Sequence, residues 1–176
     1  MNFHFNDKLN FFSFLALLFL CSLPSIILNL IVINSGLILS PDISSGQYIV
    51  NALGLYEDGE YTYINHLLEK SVELKNLPLY PIFLYLNFLV FGKLSFIPIL
   101  FFQSFLHGAT SIIIGKIISK FNKNWFLIGC LVSSIWPHLV WRSSYIFPET
   151  LFVFFITISL YFLINFILDT DNNKLK

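Results

Sequence analysis

The sequence predicts an all-α membrane protein with about four transmembrane helices, plus amphipathic interfacial helices in the first external loop. Three observations predict it. The 176 residues are 56% hydrophobic and 11% charged, against roughly 25% charged in ordinary soluble domains. Several apolar runs approach the ~20 residues that carry a helix across the hydrocarbon core of a bilayer. Between the first two long runs lies a polar segment whose apolar residues recur at helical spacing.

The first span is predicted over about residues 11–33. It contains Pro24, which a membrane helix tolerates because neighbouring groups satisfy the freed carbonyl. Lys8 ahead of an apolar run resembles the start of a signal peptide. The apolar character persists to about Ile33, however, and no small-x-small cleavage site ends it, so this is read as an uncleaved span. An external loop, 34–95, follows. Up to Leu77 it carries six acids and two lysines. Within it Tyr48, Ala52 and Leu55 share one helical face, with Ile49, Leu53 and Tyr56 beside them, which predicts an interfacial helix over about 44–56, capped by Ser44 or Ser45. Glu57-Asp58-Gly59 supplies the turn that ends it, and the Glu57, Asp58, Glu60 cluster reads as a solvated turn. The run "PLYPIFLYLNFLVFG" at 78–92 is too short for a span, and such lengths favour an interfacial or re-entrant helix. Further spans are predicted at about 96–118, 125–143 and 149–168. The chain reads as one membrane domain, 1–176, without internal repeats.

Cys21 and Cys130 fall inside apolar runs and read as small buried hydrophobes rather than a disulfide or metal ligands. With zero formal net charge and no basic patch interleaved with aromatics, nucleic acid is excluded as a partner. Charge counting leaves two topologies open. If 78–92 does not cross and the N-terminus is cytoplasmic, Lys8, Lys116, Lys120, Lys123, Lys174 and Lys176 lie inside, and Lys70, Lys75, Lys93 and Arg142 outside, a 6:4 split. If it crosses, an external N-terminus gives 7:3. Charge alone slightly favours the second.

The order of features resembles a known family. After the first span come "SPDISSGQYIVNALGLYEDGEYTY", "NLPLYPIFLYLNFLVFG", "FQSFLHGATSIIIGKIISKFNKN" and "SSIWPHLVWRSSYIFPETLFVFF". In order and spacing these are similar to the N-terminal part of the polytopic glycosyltransferases of the GT-C fold, which use polyprenyl-phosphate sugars. Protein O-mannosyltransferases and aminoarabinose transferases belong to that group. The resemblance covers roughly Phe11 to Phe166 and implies a catalytic acid after the first span, matched by Asp42, and a second acid just before a later span, matched by Glu149. Both acids must then share one face, which selects the four-span topology with a cytoplasmic N-terminus. Many members carry Asp-Glu where this chain has Asp42-Ile43, and members are typically two to three times longer, so the chain is expected to be a reduced relative or a portion of a longer protein.

The chemistry the resemblance implies is sugar transfer from a polyprenyl-phosphate donor to a lipid, glycan or protein acceptor, at the extracytoplasmic face of a bacterial inner membrane. Asp42 is the expected base. Glu149 would orient a donor hydroxyl or share a divalent metal ion with Asp42. Arg142, the one arginine of the chain, suits bidentate contact with the departing phosphate. Tyr48 and His138 complete the expected substrate-binding set. Each has a plainer reading. Asp42 after a proline is a turn or cap residue, and Glu149 complements a helix dipole. Arg142 beside Trp141 and Tyr145 is an interfacial anchor, Tyr48 packs at the interface, and His138 anchors a span end. The alternative to an enzyme is a small non-catalytic multispan protein, an assembly partner or degenerate relative.

Overall fold

The computed structural model describes residues 10–36, 43–59, 61, 63–65, 70–72 and 78–174. Helix α1 (Phe11–Asn34) runs through Pro24 without a break. Helix α2 (Ile43–Glu57) begins earlier than the expected cap, so Ser44 and Ser45 lie inside it. A three-residue antiparallel ladder follows, β1 (Tyr63–Asn65) with β2 (Lys70–Val72). The rest is helical: α3 (Leu79–Phe91), α4 (Phe96–Phe121), α5 (Phe126–Ser134), α6 (Pro137–Arg142) and α7 (Glu149–Lys174), with one 3₁₀ turn at Lys123–Trp125.

Three of these helices are long and apolar enough to cross a membrane: α1, α4 and the Glu149–Leu168 part of α7. At 1.5 Å per residue, α3 reaches only about 20 Å, short of the ~30 Å hydrocarbon core. The continuous span expected at 125–143 is instead two short helices. Pro137 has no N–H to give the Ser133 carbonyl, and it forces Trp136 into an extended conformation (φ −62°, ψ 114°), so the helix stops and restarts. The Ser134 carbonyl, left without a helical donor, is met from α4 by His107 Nε2 at 3.0 Å.

Helix α4 is the centre of the bundle, packed by α1, α5 and α7. Its contacts with α1 run antiparallel and use small and polar residues, as helices do where lipid supplies no hydrophobic drive for association. Gly108 lies against α1 so closely that a Cβ there would collide with Ser22 Oγ and sit 2.9 Å from the Leu18 carbonyl oxygen. Farther along, Asn29 Nδ2 donates to the Leu100 carbonyl at 2.9 Å and to Ser104 Oγ at 2.7 Å. Helix α5 uses the same device at Gly115, where a Cβ would meet Cys130 Sγ and the Phe126 carbonyl oxygen. Cys21 and Cys130 are both free thiols, buried with Leu17, Ile112 and Phe126.

From Cys130 beside Gly115, through Ser134 beside His107, to Ile146 in the cluster with Ile99 and Leu100, the chain ascends antiparallel to α4. The same cluster gathers Ile49 and Ala52 of α2, and Tyr80, Leu84 and Phe88 of α3, with Ile33 of α1 packed against it. Helices α2 and α3 and the turn before α7 therefore close one common end of the bundle.

Candidate functional site

The turn between α6 and α7, residues 143–148, is held from three sides. Ser143 Oγ donates to Ser25 Oγ of α1 at 2.7 Å. Gln103 Nε2 of α4 donates to the Phe147 carbonyl at 2.9 Å, and Ile146 is fully buried in the core cluster. Within the turn the Phe147 N–H bonds the Tyr145 carbonyl at 2.9 Å, a three-residue γ-type closure. A turn fixed in this way leaves little freedom to the residues flanking it, which are Arg142 at the end of α6 and Glu149 at the start of α7.

Those two side chains meet. Arg142 Nη1 lies 3.4 Å from Glu149 Oε1, with side chains 29% and 40% exposed. The separation exceeds the ~2.7–2.9 Å of a tight charge-assisted bond, so the pair is open. The guanidinium also lies 5.1 Å from the Phe147 ring centroid and 5.4 Å from that of Trp141, within cation–π range. Arg142 and Glu149, together with His107, Thr110, His138 and Thr150, line a recess of about 150 Å³ whose other walls are Leu139, Phe152 and Val153. Three polar atoms of these residues are buried and, among the described residues, lack any hydrogen-bond partner: Arg142 Nε, Glu149 Oε2 and Thr150 Oγ1. Buried polar groups are satisfied in the great majority of cases; these three atoms have essentially no surface open to the recess, and Asn29 Oδ1, Asn51 Oδ1 and Gln103 Oε1, which do not line it, are unpartnered among the described residues in the same way.

The charge of Glu149 reaches α2 and α3. Burial raises the Tyr48 phenol above the ordinary tyrosine value, and the Glu149 carboxylate and Tyr61 raise it further. Tyr80 is raised well above that value by burial, with Glu149 and Tyr48 adding and the Gln103 hydrogen bond opposing. The two rings meet edge to face, centroids 5.3 Å apart, and Gln103 Nε2 also donates to Tyr80 OH at 3.0 Å. Gln103 thus ties α3 to the turn that carries Glu149.

Of the expected site residues, Arg142, Glu149 and His138 line one recess, while Tyr48 stands outside its walls and within the field of Glu149. Asp42 lies outside the described residues. Sequence reasoning passed over Gln103, His107 and Thr150. Gln103 and His107 were visible as polar residues inside an apolar run, but no spacing rule reveals their partners, the Phe147 carbonyl and Tyr80 hydroxyl for Gln103 and the Ser134 carbonyl for His107. Among the described residues no group of three His, Cys, Asp or Glu converges as a metal site. Of the expected metal pair, Asp42 and Glu149, the first lies outside the described residues. No family model, curated protein or solved structure matches the chain.

Proposed function

We propose that the chain is a membrane glycosyltransferase, or the N-terminal portion of one, transferring a sugar from a polyprenyl-phosphate donor to an acceptor at the extracytoplasmic face. The observation that carries this reading is that Arg142, His138 and Glu149, three of the expected site residues, line one recess. Arg142 and Glu149 flank the turn whose Ile146 packs in the cluster with α2 and α3, and α2 directly follows Asp42 in the chain. In this reading Asp42 accepts the acceptor's proton, and the recess receives the donor's head group. The apolar outer face of α3, with Ile82, Leu86, Leu89 and Val90 exposed, supports its lying along the membrane interface. The ascent of α5 and α6 beside α4 serves as a fourth, broken crossing, acceptable where neighbouring helices satisfy the freed groups.

The reaction needs a base at the anomeric displacement, and loss of a positioned base costs about 100- to 10,000-fold in rate. Asp42→Asn keeps the shape and capping ability of the side chain but not its basicity. Sugar transfer by the full-length protein from a polyprenyl-phosphate donor should fall by that factor while membrane insertion is unchanged. Glu57→Gln, which removes only an exposed ion pair with Lys93, should leave transfer intact. Retention of most activity in Asp42→Asn would return Asp42 to the role of a turn residue. An alternative, a non-catalytic assembly partner, draws on α7, whose Phe152, Phe155, Phe162 and Phe166 are exposed. A full-length protein that inserts correctly and transfers no sugar would favour it.

A further inference from the structure

Unbalanced positive charge gathers where α4 turns into α5, at the end of the bundle opposite α2 and α3. Lys116, Lys120 and Lys123 fall within eight residues, and no Asp or Glu occurs between Glu73 and Glu149. Lys116 and Lys120 share a face of α4 one turn apart, the first half-buried and the second exposed. Lys123 opens the 3₁₀ turn, and every residue from Lys120 to Trp125 is exposed. The lysines are not needed to hold this turn. Asn122 Oδ1 accepts from the Asn124 N–H at 3.1 Å, and the Asn122 N–H bonds the Ile118 carbonyl at 3.2 Å. Lys93 is paired with Glu57, whereas among the described residues none of these three lysines has an ion-pair partner. Helix α7 runs down beside α4 from the recess they share and carries Asp169 and Asp171 near its end. Lys174 and Lys176 follow those acids, and Asp7 is balanced by Lys8, so this end of the chain stays cationic. In the same turn Phe121 is 77% and Trp125 54% exposed, ring types that gather at the headgroup level of a bilayer.

We propose that the α4–α5 turn docks on anionic phospholipid headgroups, with Lys120 and Lys123 meeting the headgroup charge and Phe121 and Trp125 set among the lipids beside it. Lys116, one turn deeper, extends its ammonium along the helix toward the same layer. A lipid fits better than a soluble anion, because the turn ends a membrane-crossing helix and its two rings would gain nothing from an ion in water. Net charge supplies the selectivity. In a zwitterionic lipid the choline cancels the phosphate, whereas phosphatidylglycerol leaves the phosphate uncompensated. Each lysine near an anionic surface favours it by about fivefold, within a Debye length of about 10 Å at 0.1 M salt. The inference concerns a face remote from the recess and holds whether or not the chain transfers sugar.

The test uses the full wild-type chain in phosphatidylcholine bilayers, with a trace of spin-labelled phosphatidylglycerol or phosphatidylcholine read by electron spin resonance. Phosphatidylglycerol should associate several-fold more strongly, and the preference should shrink in about 0.5 M NaCl. Lys120→Gln combined with Lys123→Gln should lower the preference by about fivefold or more. Lys93→Gln, whose ammonium Glu57 already holds, should leave it unchanged. The place of contact is read in a protein whose one tryptophan is Trp125, with Trp136→Phe and Trp141→Phe. Brominated phosphatidylglycerol should quench its fluorescence more than brominated phosphatidylcholine at equal mole fraction. Equal association of the two lipids with wild type, an unchanged preference in the double lysine variant, or equal quenching of Trp125 overturns the proposal. Loss of the preference to inorganic phosphate, beyond that caused by NaCl of the same ionic strength, overturns the choice of a lipid and assigns the turn to a soluble anion.

Discussion

Gly108 should be among the positions least tolerant of a single added methyl group. A Cβ there would lie 2.9 Å from the Leu18 carbonyl oxygen and 3.1 Å from the Ser22 nitrogen, and would collide with Ser22 Oγ. Carbon–oxygen contacts settle at about 3.3–3.6 Å, so Gly108→Ala must push α1 away by roughly half an ångström. A gap of that size forfeits about a quarter of the dispersion well for each neighbouring contact. It also stretches the Asn29 bonds to Leu100 and Ser104, and hydrogen bonds between membrane helices average about 0.6 kcal/mol each. Overpacking costs about 1–3 kcal/mol, and the better helix propensity of alanine returns up to about 1. The expected net loss is about 1–2 kcal/mol, read as a lower midpoint in a reversible SDS titration of the protein in mixed micelles followed by circular dichroism. Gly46→Ala is the control, since nothing lies within 4 Å of its Cβ position, and it should be neutral or slightly stabilising. A Gly108→Ala protein as stable as wild type would refute the close crossing of α1 on α4, and with it the reasoning that small residues set the bundle's geometry.

Other outcomes follow from the same contacts. Gln103→Leu removes the donor to Tyr80 OH and to the Phe147 carbonyl and should cost about 1–3 kcal/mol by leaving buried groups unpaired; hydrogen exchange at Phe147 and Glu149 should accelerate, and unchanged protection would remove Gln103 from the role of tether. Tyr48, raised by burial and by Glu149, should ionise above the ordinary value of about 10. Its neutral form is the one the fold favours, so the stability it contributes is complete below pH ~10 and is lost as pH rises through the folded value. Glu149→Gln should lower that titration without abolishing the burial effect, and an unmoved midpoint in the Tyr48→Phe difference spectrum would disprove the coupling. With Cys21 and Cys130 replaced, Ser45→Cys, Ser71→Cys and Ser95→Cys should each label with an impermeant thiol reagent from outside; protection of Ser95→Cys alone would mean that α3 crosses the membrane.

Hydropathy and length carried a large part of this fold into view. The runs beginning at Phe11, Phe96 and Glu149 emerged as helices within a few residues of their expected starts, because an apolar stretch near the length of a bilayer core has few other stable forms. The brevity of 78–92 was equally visible, and it became the 13-residue α3. The fate of 125–143 was not, although Pro137 stood in it: a proline in a membrane helix either kinks it or ends it, and which occurs depends on whether a neighbour takes the freed carbonyls. Here His107, arriving from α4, takes that of Ser134. The site divides in the same way. Glu149 at a helix start and a lone arginine nearby could be read from the chain. Their meeting could not, because it requires the turn between them to be pinned by Ser25 from α1 and Gln103 from α4. Composition and periodicity record what each segment must bury. A polar atom's partner, or its lack of one, depends on which helix packs opposite, and that is a property of three-dimensional packing that no single segment contains.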